Sequence, residues 1–171
     1  PINIQFTSGT TGAPKGATLS HRNILNNGFF VGQTLRLTPR DRLCLCVPLY
    51  HCFGLVMGVL GALSHGAAVV LAGEGFDAAA TLWAVQAERC TVLYGVPTMF
   101  VALLEEQSRQ PRQVATLRTG IMAVSTCRPA GTTWLTRPMR SARAASTGCP
   151  RNMTSIANLC GMRAARPLMR P

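Results

Sequence analysis

Ten consecutive residues carry most of the chemistry this chain could perform: Thr7-Ser8-Gly9-Thr10-Thr11-Gly12-Ala13-Pro14-Lys15-Gly16. Gly9, Gly12 and Gly16 allow backbone N–H groups to come close to a ligand, and four hydroxyls and one ammonium surround them. Such a set suits an anion with several oxygens. Lys15 is the only lysine of the sequence, all other cations being arginine, and a flexible point charge there could follow a phosphate through a reaction. A plain turn between two strands is the alternative. Ten fitting positions after an apolar run favour phosphate binding.

The stretch is not a Walker A loop, because Lys15 lies between Pro14 and Gly16 and has no adjacent hydroxyl for a metal ion. His51 is the second candidate, in Pro48-Leu49-Tyr50-His51-Cys52-Phe53-Gly54. In a loop after a strand, with Gly54 to let a ligand approach, it could contact a carboxylate; its alternative is a packed histidine among aromatics. Val96, Pro97 and Met99 form a strand-to-helix corner that could line an apolar ligand or simply start a helix. Cys44, Cys46, His51 and Cys52 do not read as a zinc site: the first two alternate within a strand and no second pair follows.

These residues need elements to hold them. Ile2 to Phe6 is predicted as a strand feeding the loop, and Ser20 as the cap of a helix whose inner positions are Ile24, Gly28, Val31 and Leu35. Strands follow over Arg42–Val47, Ala67–Ala72, Cys90–Tyr94 and Leu117–Ala123. The second is expected to be covered on both faces. Helices lie between them: Leu55–Leu63; one capped by Asp77 with Ala79, Trp83 and Ala87 on one face; and one starting at Pro97 with Met99, Phe100, Leu103 and Leu104. The alternation predicts an α/β fold, a mainly parallel sheet with covering helices and ligands at the carboxyl ends of the strands.

Composition narrows the classes. The 171 residues are 47% apolar, enough for one ordinary core, and the start at Pro1 without a signal-like segment reads as a cut inside a longer protein. The uncharged run Cys52–Gly73 is broken by Ser64-His65-Gly66 and five glycines, so no transmembrane segment is expected. Seven irregularly spaced cysteines argue for a reducing, cytoplasmic setting. The net charge of +11 comes from eleven arginines after Glu106, since the cations and acids of residues 1–106 balance. From Val124 to Pro171 no Asp, Glu, Lys, His, Phe, Tyr or Gln occurs and no apolar period persists. Residues 1–123 are therefore one partial domain and 124–171 an anomalous, irregular Arg-rich tail. It is either translated out of frame or a basic tail binding nucleic acid. Trp134 alone interrupts its arginines, which is a poor pattern for nucleic-acid recognition.

The phosphate-loop string resembles that of the adenylate-forming (AMP-binding) superfamily, and the blocks Ser20-His21-Arg22-Asn23, Pro48–Gly54, Leu93–Phe100 and Leu117-Arg118-Thr119-Gly120 are similar to segments in that family's order. The resemblance runs from about Ile2 to Ala123 and favours the acyl-CoA synthetase branch, with aryl-CoA ligases as the nearest rival. It implies part of the large N-terminal domain. The implied reaction joins a carboxylic acid, of the size of a medium or long fatty chain, to ATP as acyl-AMP and passes the acyl group to coenzyme A, with Mg²⁺ as cofactor and small molecules as partners. It also implies roles: Thr7, Ser8, Gly9, Thr10, Thr11, Gly12 and Lys15 for the ATP phosphates, Lys15 and His51 as catalytic, and His51, Phe53, Gly54, Val96, Pro97 and Met99 around the acid, with Leu117–Gly120 approaching the adenine site. No metal ligand is implied here. The family's Tyr-Gly-x-Thr-Glu motif, ribose aspartate and C-terminal lysine are absent from the sequence, so this chain alone is expected to be inactive.

Overall fold

The computed structural model describes residues 1–7 and 14–122; Ser8–Ala13 of the phosphate loop and both readings of the tail lie outside the described residues. Two antiparallel strands, β1 (Asn3–Thr7) and β2 (Lys15–Leu19), form a hairpin in register from Asn3 opposite Leu19 to Thr7 opposite Lys15. Strands β3 (Arg42–Leu45), β4 (Ala68–Leu71), β5 (Val92–Gly95) and β6 (Thr119–Met122) form a separate parallel sheet in the order β4-β3-β5-β6. Four helices connect these parts: α1 (His21–Thr34), α2 (a π-helical segment Phe53–Leu60 running into an α-helical turn Gly61–Leu63), α3 (Ala78–Ala87) and α4 (Pro97–Arg109).

The period of two along β3 and β5 divides the core. Leu43, Leu45, Val92 and Tyr94 turn to one face, where Val31 of α1, Leu35 just after it, and Phe53 and Ala62 of α2 pack against them. Cys44 and Leu93 turn to the other, onto Leu82 and Val85 of α3 and Leu103 of α4. The predicted parallel α/β layering is therefore present.

Local sequence sets the helix starts. Ser20 and Asn23 form a capping box, the Ser20 hydroxyl accepting from Asn23 N and Asn23 Oδ1 from Ser20 N. Asp77 accepts from Ala80 N at 2.7 Å, and Pro97 takes the first turn of α4, where its missing N–H costs nothing. Glycine then fixes how α1 meets α2. A Cβ on Gly28 would lie 2.7 Å from the Val56 carbonyl oxygen, and one on Gly32 would overlap the His65 ring, so only glycines let the two backbones approach this closely.

Three expectations are corrected. β4 is covered only in part: Val69 packs on one core cluster and Val70 on the opposite one, while Leu71 is 57% exposed on what is an edge strand among the described residues. The buried face of α3 is Thr81, Leu82, Ala84 and Val85, with Trp83 59% exposed, because an alanine-rich helix with apolar residues all round has no directional signal of its own. The helix expected from Leu55 begins at Phe53, in π-helical turns.

The amino edge of the sheet is held by one carboxylate. Asp41, only 3% exposed, receives Arg118 Nε at 2.8 Å and Nη2 at 2.6 Å, Thr91 Oγ1 at 2.7 Å, and the amide and hydroxyl of Thr38. Arg118 also donates to the carbonyls of Leu35 and Arg36. Burial pushes the Asp41 pKa up, but the bonds from Arg118, Thr91 and Thr38 outweigh it and hold the carboxyl well below the usual carboxylate range. Residues just ahead of β3, β5 and β6 are thereby tied together.

Candidate functional site

The predicted site residues fall into two groups. Thr7 and Lys15 are paired across the hairpin, at the end of the β1–β2 register nearest the predicted phosphate loop in sequence. A loop closed by a strand pair has its ends fixed, as a phosphate-gripping segment requires. Ser8, Gly9, Thr10, Thr11 and Gly12 lie outside the described residues.

The second group gathers at the carboxyl edge of the parallel sheet. β3 and β5 are neighbours with Leu45 opposite Tyr94, so the chain leaving β3 toward His51 and the chain leaving β5 toward Val96 and Pro97 emerge side by side. β6 ends beside them, Met122 opposite Gly95. This is where an open parallel sheet binds ligands. Val96, Pro97 and Met99 are half-buried there, and Val96 and Met99 pack on the same core cluster as Phe53.

His51 is exposed, and its backbone and ring organise the turn into α2. Its carbonyl accepts from Gly54 N at 3.0 Å and Leu55 N at 3.1 Å, its amide donates to the Pro48 carbonyl at 3.3 Å, and its Nδ1 accepts from Phe53 N at 3.1 Å. Tyr50 beside it is 88% exposed. The Phe53 ring is buried, stacked on Tyr94 at 5.5 Å with an interplanar angle of 8°. Phe53 therefore supports the loop from beneath. Gly54 has a local reason to be glycine: an added Cβ would overlap the Pro48 carbonyl oxygen and lie 2.8 Å from the Pro48 carbonyl carbon. Both are backbone atoms that cannot swing away. Gly54→Ala is expected to displace the first turn of α2 and cost about 1–3 kcal/mol, the usual range for overpacking, read as a lower urea midpoint at unchanged m-value.

Two supporting residues were missed by sequence reasoning. Tyr94 is fully buried and donates to the Met57 carbonyl at 3.4 Å, burial raising its phenol pKa well above the ordinary value. Cys46 donates to the Tyr94 carbonyl at 3.0 Å and ties β3 to β5 at this edge; burial, partly opposed by a backbone hydrogen bond, pushes its thiol up to about 11. The strand alternation that puts Leu43 and Leu45 on one face could have placed Tyr94 with them. Arg118, expected on the approach to an adenine site, lies with its side chain at the opposite edge on Asp41. Among the described residues no group of three or more His, Cys, Asp or Glu could hold a metal ion, and Asp41, Asp77 and Glu88 are engaged on Arg118, the start of α3 and Arg42. No step is assigned to Mg²⁺ on these residues.

Known proteins share this arrangement. The chain is 50% identical over 122 residues to the acyl-CoA ligase sidI of Beauveria bassiana and 48% identical over 131 residues to the mitochondrial medium-chain acyl-CoA ligase ACSF2 of Danio rerio. These matches take in 71% and 75% of this chain but only 21% and 22% of the two enzymes, so the chain spans about a fifth of their length. Among solved structures, ATP-bound MatB from Rhodopseudomonas palustris superposes with a TM-score of 0.61 at 35% identity, over 71% of this chain and 24% of that one. No described helix is long and apolar enough to cross a membrane. The family model described as "AMP-binding enzyme" matches residues 1–162, past the Ala123 at which the sequence resemblance ended, and with the hairpin and the sheet edge in place the chain belongs to that family.

Proposed function

We propose that this chain is the phosphate-gripping and acid-gripping portion of an AMP-forming acyl-CoA ligase whose substrate is a medium- or long-chain fatty acid. The observation that carries the reading is that the loop bearing His51 and the apolar corner Val96-Pro97-Met99 leave neighbouring strands at one sheet edge, with Phe53 of that loop packed in the same cluster as Val96 and Met99. The name of the medium-chain ligase of Danio rerio supports that substrate class, and the name of sidI supports an acyl-CoA ligase without specifying the acid. ATP, Mg²⁺ and coenzyme A are the co-reactants of this proposal. The carboxylate oxygen attacks the α-phosphorus of ATP, the bond to the pyrophosphate oxygen breaks, and a thiol then displaces AMP. Lys15 and the loop donors follow the charge onto the departing pyrophosphate, and His51 orients the acid.

The 171-residue chain alone is not expected to complete that cycle, because the glutamate and lysine that the family resemblance calls for are not in its sequence. The test is therefore a transplant: residues 1–122 replace the homologous segment of the Danio rerio medium-chain ligase, and acid-dependent ATP–pyrophosphate exchange is profiled. Octanoate should support exchange better than benzoate, and both better than amino acids. Preference for an amino acid refutes the reading, and preference for benzoate moves it to an aryl acid.

A further inference from the structure

We propose that His51 meets the acid as a neutral imidazole protonated on Nε2, with its tautomer fixed by the backbone amide of Phe53. A backbone N–H can only donate, and Phe53 N lies 3.1 Å from Nδ1 with its hydrogen directed at that nitrogen. Nδ1 must therefore carry its lone pair, and a neutral ring then carries its proton on Nε2. The Cys52 sulfur, 3.8 Å from the same nitrogen, is a second group on the Nδ1 side. His65 provides an internal contrast. Its Nδ1 lies 3.0 Å from the Gly61 carbonyl oxygen, which can only accept, and 3.1 Å from the Ser64 hydroxyl, which already donates its one proton to that carbonyl at 3.0 Å, so the His65 proton belongs on Nδ1. The two rings hold opposite tautomers.

The arrangement resembles an Asx turn, in which a side-chain acceptor takes the amide two residues on, with imidazole in place of a carbonyl. Phe53 is in turn held by its stack on Tyr94, so the amide that fixes the ring is itself anchored in the core. Phe53 is thus a positioning residue for His51. The consequence for chemistry rests on the functional reading above, that His51 lies beside the carboxylate. Adenylation consumes a carboxylate and transfers no proton: the oxygen–phosphorus bond forms, the bond to pyrophosphate breaks, and the electron pair leaves with pyrophosphate. An imidazolium would ion-pair with the attacking carboxylate and stabilise it most before reaction. A neutral Nε2–H orients one oxygen and leaves the other free to attack.

The experiment is long-range ¹H–¹⁵N correlation on the full 171-residue chain with ¹⁵N-histidine, with and without octanoate. His51→Asn removes one ring's signals and identifies them while keeping an acceptor for the Phe53 amide; His21→Gln and His65→Gln give the same assignment by elimination. The expected result is an unprotonated, pyridine-like Nδ1 and a protonated Nε2 for His51, the reverse for His65, and a shift of the His51 Nε2 signals with octanoate. A protonated or averaged His51 Nδ1 overturns the tautomer assignment. A His51 with the expected tautomer whose Nε2 ignores octanoate overturns the contact with the acid and leaves the tautomer standing.

Discussion

Replacing Arg118 by alanine is expected to destabilise the chain by about 3 kcal/mol, the lower end for removing one member of a buried ion pair, and to lower Tm by roughly 10 °C. The lower end applies because the Arg118 side chain is partly solvated, whereas Asp41 is sealed. Without the guanidinium, Asp41 keeps only its bonds from Thr38 and Thr91, and the Leu35 and Arg36 carbonyls lose a donor. The pair links segments 77 positions apart, so its loss removes the tie between the residues just ahead of β3 and those just ahead of β6. Acid should mimic the mutation. The Asp41 carboxyl is depressed in the folded chain, so its contribution is complete above the unfolded carboxylate value of about 4 and disappears as pH falls through the folded value. Thermal unfolding by circular dichroism should show a smaller acid dependence in Arg118→Ala than in the parent chain. Arg109→Ala, which removes an exposed pair with Glu106 on α4, should change stability by less than about 1 kcal/mol. Equal effects at the two arginines would contradict the role given to Asp41.

The parallel layering was legible because each central strand carries its own signal. Leu43-Cys44-Leu45 and Val92-Leu93-Tyr94 are apolar throughout, as expected where helices cover both faces, and Ser20, Asp77 and Pro97 announce helix starts. β2 was not legible. Lys15-Gly16-Ala17-Thr18-Leu19 has little strand preference, and its conformation comes from pairing with β1. The π-helical turns of α2 were equally hidden, since they arise where Gly54, Gly58 and Gly28 let backbone and side chains approach across elements, and no local period encodes that. Asp41 and Arg118 are far apart in sequence, and a pair of lone charges does not reveal its partner. In the site, the order of His51 and Pro97 after adjacent strands was readable. The buried support from Tyr94 and Cys46 required knowing which face each strand presents.

Lys15 carries the other large effect. It stands opposite Thr7 at the closed end of the hairpin, so its backbone is fixed while its long side chain can track moving charge. Charge builds on pyrophosphate oxygens only as the bond to the α-phosphorus breaks, and a cation acting there stabilises the transition state more than bound ATP. Removing one such group commonly costs about 10²–10³ in rate. Lys15→Ala should therefore depress turnover far more than the affinity for ATP or acid. Thr18→Ala, in the same strand but away from the closed end, should leave the rate within about twofold, since exposed positions outside such machinery tolerate substitution. The most direct measurement is octanoate-dependent ATP–pyrophosphate exchange by the Danio rerio ligase carrying residues 1–122, with Lys15 and with Lys15→Ala. Exchange is expected in the first and a loss of at least about a hundredfold in the second at a nearly unchanged KM for octanoate. Exchange that survives the substitution would contradict the assignment of this hairpin to the nucleotide phosphates.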